Sequence, residues 1–151
     1  MFKSACAIMD KCQNRISWLQ AIALLAARLW IAKVFFMSGL TKIDSWSTTI
    51  ALFSDEYKVP LLPPELAAYM AASVELSLPI LLVLGLMTPL AALGLMGMTL
   101  VIELFVYPGT TEHYYWLLLN GILLTHGSGK LGLDYWIVKW LHPSPTSQRA
   151  G

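Results

Sequence analysis

Apolar residues fall in long stretches along this chain, divided by short polar breaks. Residues 19–40, 66–87 and 90–107 are each nearly continuous apolar runs. About 20 apolar residues at 1.5 Å each cross ~30 Å of hydrocarbon, so the three runs read as membrane-spanning helices. Residues 110–126 form a shorter apolar segment, worth roughly 25 Å of helix. It reads as a fourth span, with a re-entrant segment as the alternative. The expected fold is all-α: a four-helix transmembrane bundle with short interfacial helices.

The breaks carry their own signals. Gly85 to Pro89 fits a tight hairpin, and Tyr107-Pro108-Gly109 ends the third run. The longest connection, 41–65, places Trp46, Ile50, Phe53 and Tyr57 on one helical stripe after Asp44 or Ser45 as a cap. Aromatics so arranged suit the membrane interface. Pro60, Pro63 and Pro64 end that stripe, and Pro64 with Glu65 opens the next helix. Gly127, Gly129 and Gly132 break the last span, and 134–141 reads as an interfacial amphipathic helix. The chain thus divides into an N-terminal cytoplasmic or interfacial segment (1–18), a membrane bundle (19–141) and a polar tail (142–151). In the first of these, Phe2, Ala5, Cys6, Met9 and Ile16 line one face of a short helix.

Composition agrees. Charged residues are 13% of the chain and apolar residues 57%, whereas a soluble domain carries about 25% charged residues. A net charge of +1 leaves no basic face for nucleic acid. Cys6 and Cys12 match neither a CxxC nor a zinc spacing, so they are read as ordinary small residues, with a palmitoylation-like or redox role as the alternatives. No cleavable secretory signal precedes the first span.

Basic flanks orient the bundle. Lys3, Lys11, Arg15, Lys130, Lys139 and Arg149 fall on one side, and Lys42 and Lys58 on the other. With an even number of spans, this bias places both termini of a multi-pass protein in the cytoplasm.

Ionisable residues inside the spans carry the candidate chemistry, because each costs roughly 2.5–3.5 kcal/mol at mid-membrane. Arg28, Lys33, Glu75 and Glu103 are of this kind. Arg28 and Glu75 both fall near the middle of their spans and are expected to meet, either as a structural clamp or as a polar pocket. Arg28, Ala32, Phe35, Gly39 and Lys42 form one stripe, and Ala68, Ala71, Ala72, Glu75 and Pro79 another. Lys33 faces away from Arg28 and is expected to snorkel towards the outer headgroups. Ala91, Gly94 and Gly97 give the third span a small-residue face. Lys42, Glu103 and His113 gather at one end, and Asn120 is the deep polar group of the fourth span. The candidate pocket is Arg28, Glu75, Lys42, Glu103, His113 and Asn120; no metal site can be assembled, and no catalytic residue is assigned.

Taken together these residues resemble the DoxX family of small bacterial membrane proteins. The likeness rests on Arg28 with Gly39-Leu40-Thr41-Lys42, on Glu75 followed by Leu84-Gly85-Leu86-Met87-Thr88, and on Gly127-Ser128-Gly129-Lys130-Leu131-Gly132-Leu133-Asp134. Phe105-Val106-Tyr107-Pro108-Gly109 with His113 and Trp116 is similar to one branch of it. The resemblance implies a four-helix bundle and a link to redox chemistry. Relatives include a quinone-linked subunit of thiosulfate oxidation and a membrane component of an oxidative-stress complex, and that branch accompanies gene clusters that modify metal-binding peptides. The implied function is a redox-associated, quinone-linked membrane subunit, with quinone as the one cofactor in view. The alternatives are a non-enzymatic membrane partner of a peptide-modifying or stress-response complex, or a small transporter.

Overall fold

The structure, a computed structural model, describes residues 2–57 and 62–142, with side chains from Cys12 onward. The described residues form helices and turns only. In order they are α1 (Phe2–Asp44), α2 (Trp46–Leu52) with a π-helical turn Phe53–Tyr57, α3 (Pro64–Leu84), α4 (Thr88–Val101) with a π-helical turn Ile102–Val106, α5 (Thr111–His126) and α6 (Leu133–Leu141). The expected face of Phe2, Ala5, Cys6 and Met9, and the basic side chains of Lys3, Lys11, Lys58 and Arg149, lie outside the described residues.

Four helices close a ring. α1 packs chiefly on α3, α3 on α4, α4 on α5, and α5 returns to α1. Small residues let neighbours approach closely: Ala67 and Ala68 of α3 pack with Phe53, Ala21 of α1 lies beside Gly129, and Ala32 of α1 and Ala72 of α3 are buried. A Cβ on Gly39 would stand only 3.1 Å from that of Glu75. On α4, Ala91 is enclosed and Gly94 lies against Leu78, but a Cβ on Gly97 would meet open space. The small-residue face of α4 therefore shortens to Ala91 and Gly94. The core between the helices holds Leu24, Ile31, Phe35, Leu82, Leu95 and Leu123.

The outward surface is apolar. Trp30, Met37, Ile80, Val83, Leu90, Leu93, Leu104 and Leu118 are all exposed. Water would penalise such a surface, and lipid tails would not. Three helical stretches are long and apolar enough to cross a membrane: Cys12–Asp44, Pro64–Leu84 and Thr88–Val106. α5 has 16 residues, about 24 Å of helix, and falls short of that length.

The expected short N-terminal helix and first span are one element, since α1 runs 43 residues without a break. Nothing in residues 12–20 supplies a proline or glycine to stop it. The connection after it turns at Ser45, where the Thr49 hydroxyl donates to the Lys42 carbonyl at 2.9 Å. The aromatic stripe then folds back on the bundle: Trp46 stacks against Tyr69 with ring centroids 4.6 Å apart, and Phe53 is buried.

The two ends of the ring differ. At the cap end, the hairpin between α3 and α4 meets the glycine-rich loop after α5. At the opposite end, the mouth, α2 and its π turn lie beside the turn between α4 and α5, with the Tyr57 and Tyr107 rings 5.8 Å apart.

Candidate functional site

Arg28 and Glu75 do not meet. Gly39 of α1 lies opposite Glu75, whereas Arg28 lies opposite Gly85. The two charges are thus separated by about ten residues of helix, or ~15 Å. Arg28 sits at the cap end, fully enclosed. Its Nη1 donates to the Ser128 carbonyl at 2.8 Å and its Nη2 to the Leu131 carbonyl at 3.2 Å. The polar partner expected of the guanidinium is the chain's own backbone. Gly85, at φ +67°, and Gly132 leave the room it needs, since a Cβ on either would strike an Arg28 nitrogen. Asp134 completes this end: its carboxylate accepts from the Met87 and Thr88 amides at 2.8 and 3.0 Å, and its own amide donates to the Gly85 carbonyl at 2.9 Å. A carboxylate on the orphan amides of a helix start stabilises both helix and loop.

Glu75 pairs with Lys42 instead. Lys42 Nζ lies 2.7 Å from Oε2 and 2.9 Å from Oε1 of a carboxylate whose side chain is 2% exposed. Ser38, one turn before Lys42, donates to Oε1 at 3.3 Å, and Lys42 Nζ donates to its hydroxyl at 3.0 Å. A serine four residues before a lysine puts both on one face of α1, a signal present in the sequence and overlooked there.

Near the mouth, a second carboxylate holds a histidine. Glu103, in the π turn after α4, has Oε2 2.7 Å from His113 Nδ1. Its Oε1 accepts from the Gly109 amide at 2.8 Å and from the Tyr114 hydroxyl at 3.2 Å. The π turn and Tyr107-Pro108-Gly109 bring α5 back to the acid. Nδ1 is thus engaged by Glu103, and Nε2 is the ring nitrogen outside this pair. His113 is buried and packs against Trp116 with ring centroids 5.0 Å apart. Nearby, Tyr107 donates to Glu56 at 3.0 Å.

Lys42, Glu75 and His113 border a cavity of about 410 Å³ between the four long helices and the π turn after α2. Lys42, Glu75, Ser38 and His113 supply polar groups to it, and Phe35, Phe53, Tyr57, Tyr107 and Trp116 supply aromatic walls. Phe35 and Trp116 meet edge to face at 5.5 Å. Of the expected pocket residues, Glu75, Lys42 and His113 line this cavity. Glu103 stands behind His113. Arg28 lines no part of the cavity because the helix register carries it to the cap end. Asn120 is enclosed within α5's inner face, donates to the Trp116 carbonyl at 2.9 Å and stays off the cavity wall. No group of three or more metal-ligating side chains gathers among the described residues.

These features can be set beside known proteins. A family model described as DoxX matches residues 23–108. The chain is similar to an uncharacterized protein of Haemophilus influenzae, 31% identical over 137 residues, which cover 82% of this chain and 87% of that protein. No solved structure matches it. The match covers the second half of α1, the hairpin of α3 and α4, and both Glu75 and Glu103, and on that ground the chain is a member of the DoxX family of membrane proteins.

Proposed function

We propose that this protein is a four-span protein of the bacterial inner membrane whose bundle holds a quinone-like ring between Lys42 and His113, as the membrane subunit of a redox system. The observation that carries the reading is the cavity. It is predominantly apolar, and its few polar groups include a lysine anchored by Glu75 and a histidine anchored by Glu103. Ligand pockets of roughly 300–1,000 Å³ with a few convergent polar groups are the usual form of small-molecule sites, and about 410 Å³ suits one substituted ring. Aromatic walls favour a flat ring over an acyl chain.

A quinone bound there would supply two-electron, two-proton chemistry, with the electrons coming from a partner or a second substrate. Lys42 would donate a hydrogen bond to one ring oxygen. Glu75 holds its ammonium in place and neutralises it in the apolar surroundings. His113 would exchange a proton through Nε2 while Glu103 fixes the tautomer through Nδ1. No step is assigned to Arg28 or Asn120, which lie off the cavity wall.

Topology is part of the proposal. α5 lies beside both α1 and α4 and runs from the mouth to the cap end, which supports a fourth crossing in spite of its length. Arg15, Lys130 and Lys139 belong to the cap end, where Lys130 also reaches Ser17 at 2.7 Å. The mouth carries Lys42, which is tied to Glu75. This supports a cytoplasmic cap end with both termini there. The bundle proper then corresponds to residues 19–141, flanked by segments 1–18 and 142–151.

Lipid extraction of protein purified from quinone-containing membranes tests the function, together with quenching of tryptophan emission by a soluble quinone analogue. Co-purifying quinone, and quenching that weakens at least tenfold in His113→Gln, are the expected results. Absence of both quinone and quenching, with a protein partner recovered in their place, would overturn the redox reading in favour of a non-enzymatic partner.

A further inference from the structure

A second recess lies on the outer surface, away from the proposed quinone site. It measures about 300 Å³ and follows the seam between α1 and α3, bounded by Leu29, Phe36, Pro79, Ile80 and Val83. Its lining is apolar but for Lys33, which is exposed and forms no ion pair among the described residues. Every other cation within the ring is engaged: Arg28 by carbonyls, Lys42 by Glu75. An unpaired ammonium on a lipid-facing helix is costly, and no described residue supplies its counter-charge, which leaves a place for an external anion.

Depth identifies the source. Lys33 is five residues from Arg28 and nine from Lys42, so it lies nearer the cap end. In a helix each Cα–Cβ bond tilts towards the N-terminus, and the N-terminus of α1 passes the cap end. The Lys33 stem therefore leans towards that end and not towards the mouth, as its sequence position had suggested. One turn of reach, about 5.4 Å, brings the ammonium level with Leu29 and the end of α3. That is where headgroups begin if the cap end lies at the interface. The recess continues from this level towards Phe36, deeper in the bundle.

We infer that the seam of α1 and α3 is a binding site for an anionic phospholipid of the leaflet at the cap end, with its phosphate on Lys33 and an acyl chain along the recess past Pro79. Charge complementarity and the apolar lining select this occupant. A zwitterionic lipid offers the same tails, but its own ammonium offsets the attraction. The site is separate from the quinone-like cavity and stands or falls independently of it.

Native mass spectrometry of the full chain, released from detergent with phosphatidylglycerol or phosphatidylcholine, tests the inference. The wild type is expected to retain one phosphatidylglycerol and to prefer it at least fivefold over phosphatidylcholine. Lys33→Met should abolish the preference and Lys33→Arg should keep it. Val83→Trp, which fills the recess on an exposed position, should weaken retention of phosphatidylglycerol while Lys33 remains. Equal retention of the two lipids by the wild type, or an unchanged preference in Lys33→Met, would overturn the site. So would a dimer that Lys33→Met dissociates, because the counter-charge would then be an acidic group of a second copy.

Discussion

Glu75 tolerates its apolar surroundings because one turn of α1 brings it two donors, Ser38 and Lys42. Removing Lys42 while leaving the carboxylate is the damaging change, since one partner of a buried pair stays behind unneutralised. Lys42→Met is expected to destabilise the bundle by about 3 kcal/mol, and Lys42→Met with Glu75→Gln by clearly less than the sum of the single changes. Thermal unfolding in detergent measures both. The same cycle on Arg28 and Glu75 should give additive losses, because sites beyond about 10 Å without shared partners act independently. A coupling above 0.5 kcal/mol there would contradict the register that keeps them apart. This register was not legible in the sequence. Periodicity correctly placed Arg28, Ala32, Phe35 and Gly39 on the buried face of α1, and Glu75 and Pro79 on that of α3. It says nothing about how far one helix slides along the other. That offset is set by how the connection through α2 folds and by where Gly39 and Gly85 allow close approach, and both depend on the folded chain.

At the level of elements, the cap end is a lock made of loops. Asp134 closes the start of α4, Gly85 ends α3 in the left-handed region, and Arg28 fastens the loop between α5 and α6. The glycine-rich run was recognisable in sequence as a helix breaker. Its role as a cradle for Arg28 was not, because the arginine lies 100 residues away along the chain. Likewise Asp134 belongs to α6 by sequence but serves α4 by contact. Asp134→Ala should cost about 1 kcal/mol as the loss of a helix cap. It should also speed hydrogen exchange at the Met87 and Thr88 amides, a local effect that general loss of packing would not confine to those positions. Gly85→Ala should be worse, by at least 1–2 kcal/mol, since a left-handed backbone and contact with Arg28 and Gly132 coincide there. Equal Tm values for Gly85→Ala and wild type would show that Arg28 is free to move out of its cradle. α6 itself was legible: its exposed Trp136, Ile137 and Trp140 give the amphipathic pattern of a helix lying in the interface.

For the whole molecule, the two ends of the ring make the number of crossings measurable. α2 and its π turn belong to the mouth, and α6 to the cap end. If α5 crosses, those two elements lie on opposite sides of the membrane; if it does not, the chain after it stays on the side of α2. Its length alone favours the second outcome, at about 24 Å against ~30 Å of hydrocarbon. Its neighbours favour the first. Trp116 near its start meets Phe35, and the loop at its end fastens to Arg28. A short helix packed along its neighbours can cross if the bilayer thins or if its ends reach the interface, at fractions of a kcal/mol per ångström of mismatch. That is smaller than the cost of pulling Arg28 from its carbonyl partners, which leaves a buried charge and two acceptors unsatisfied. The expected result follows. In a chain with Cys6 and Cys12 changed to serine, Ser54→Cys should react with an impermeant maleimide added to intact cells. His142→Cys should react only after the membrane is opened. Reaction of both in intact cells would mean that α5 does not cross. The reverse pattern would keep the crossings and turn the bundle over, so that the basic cap end faces outward.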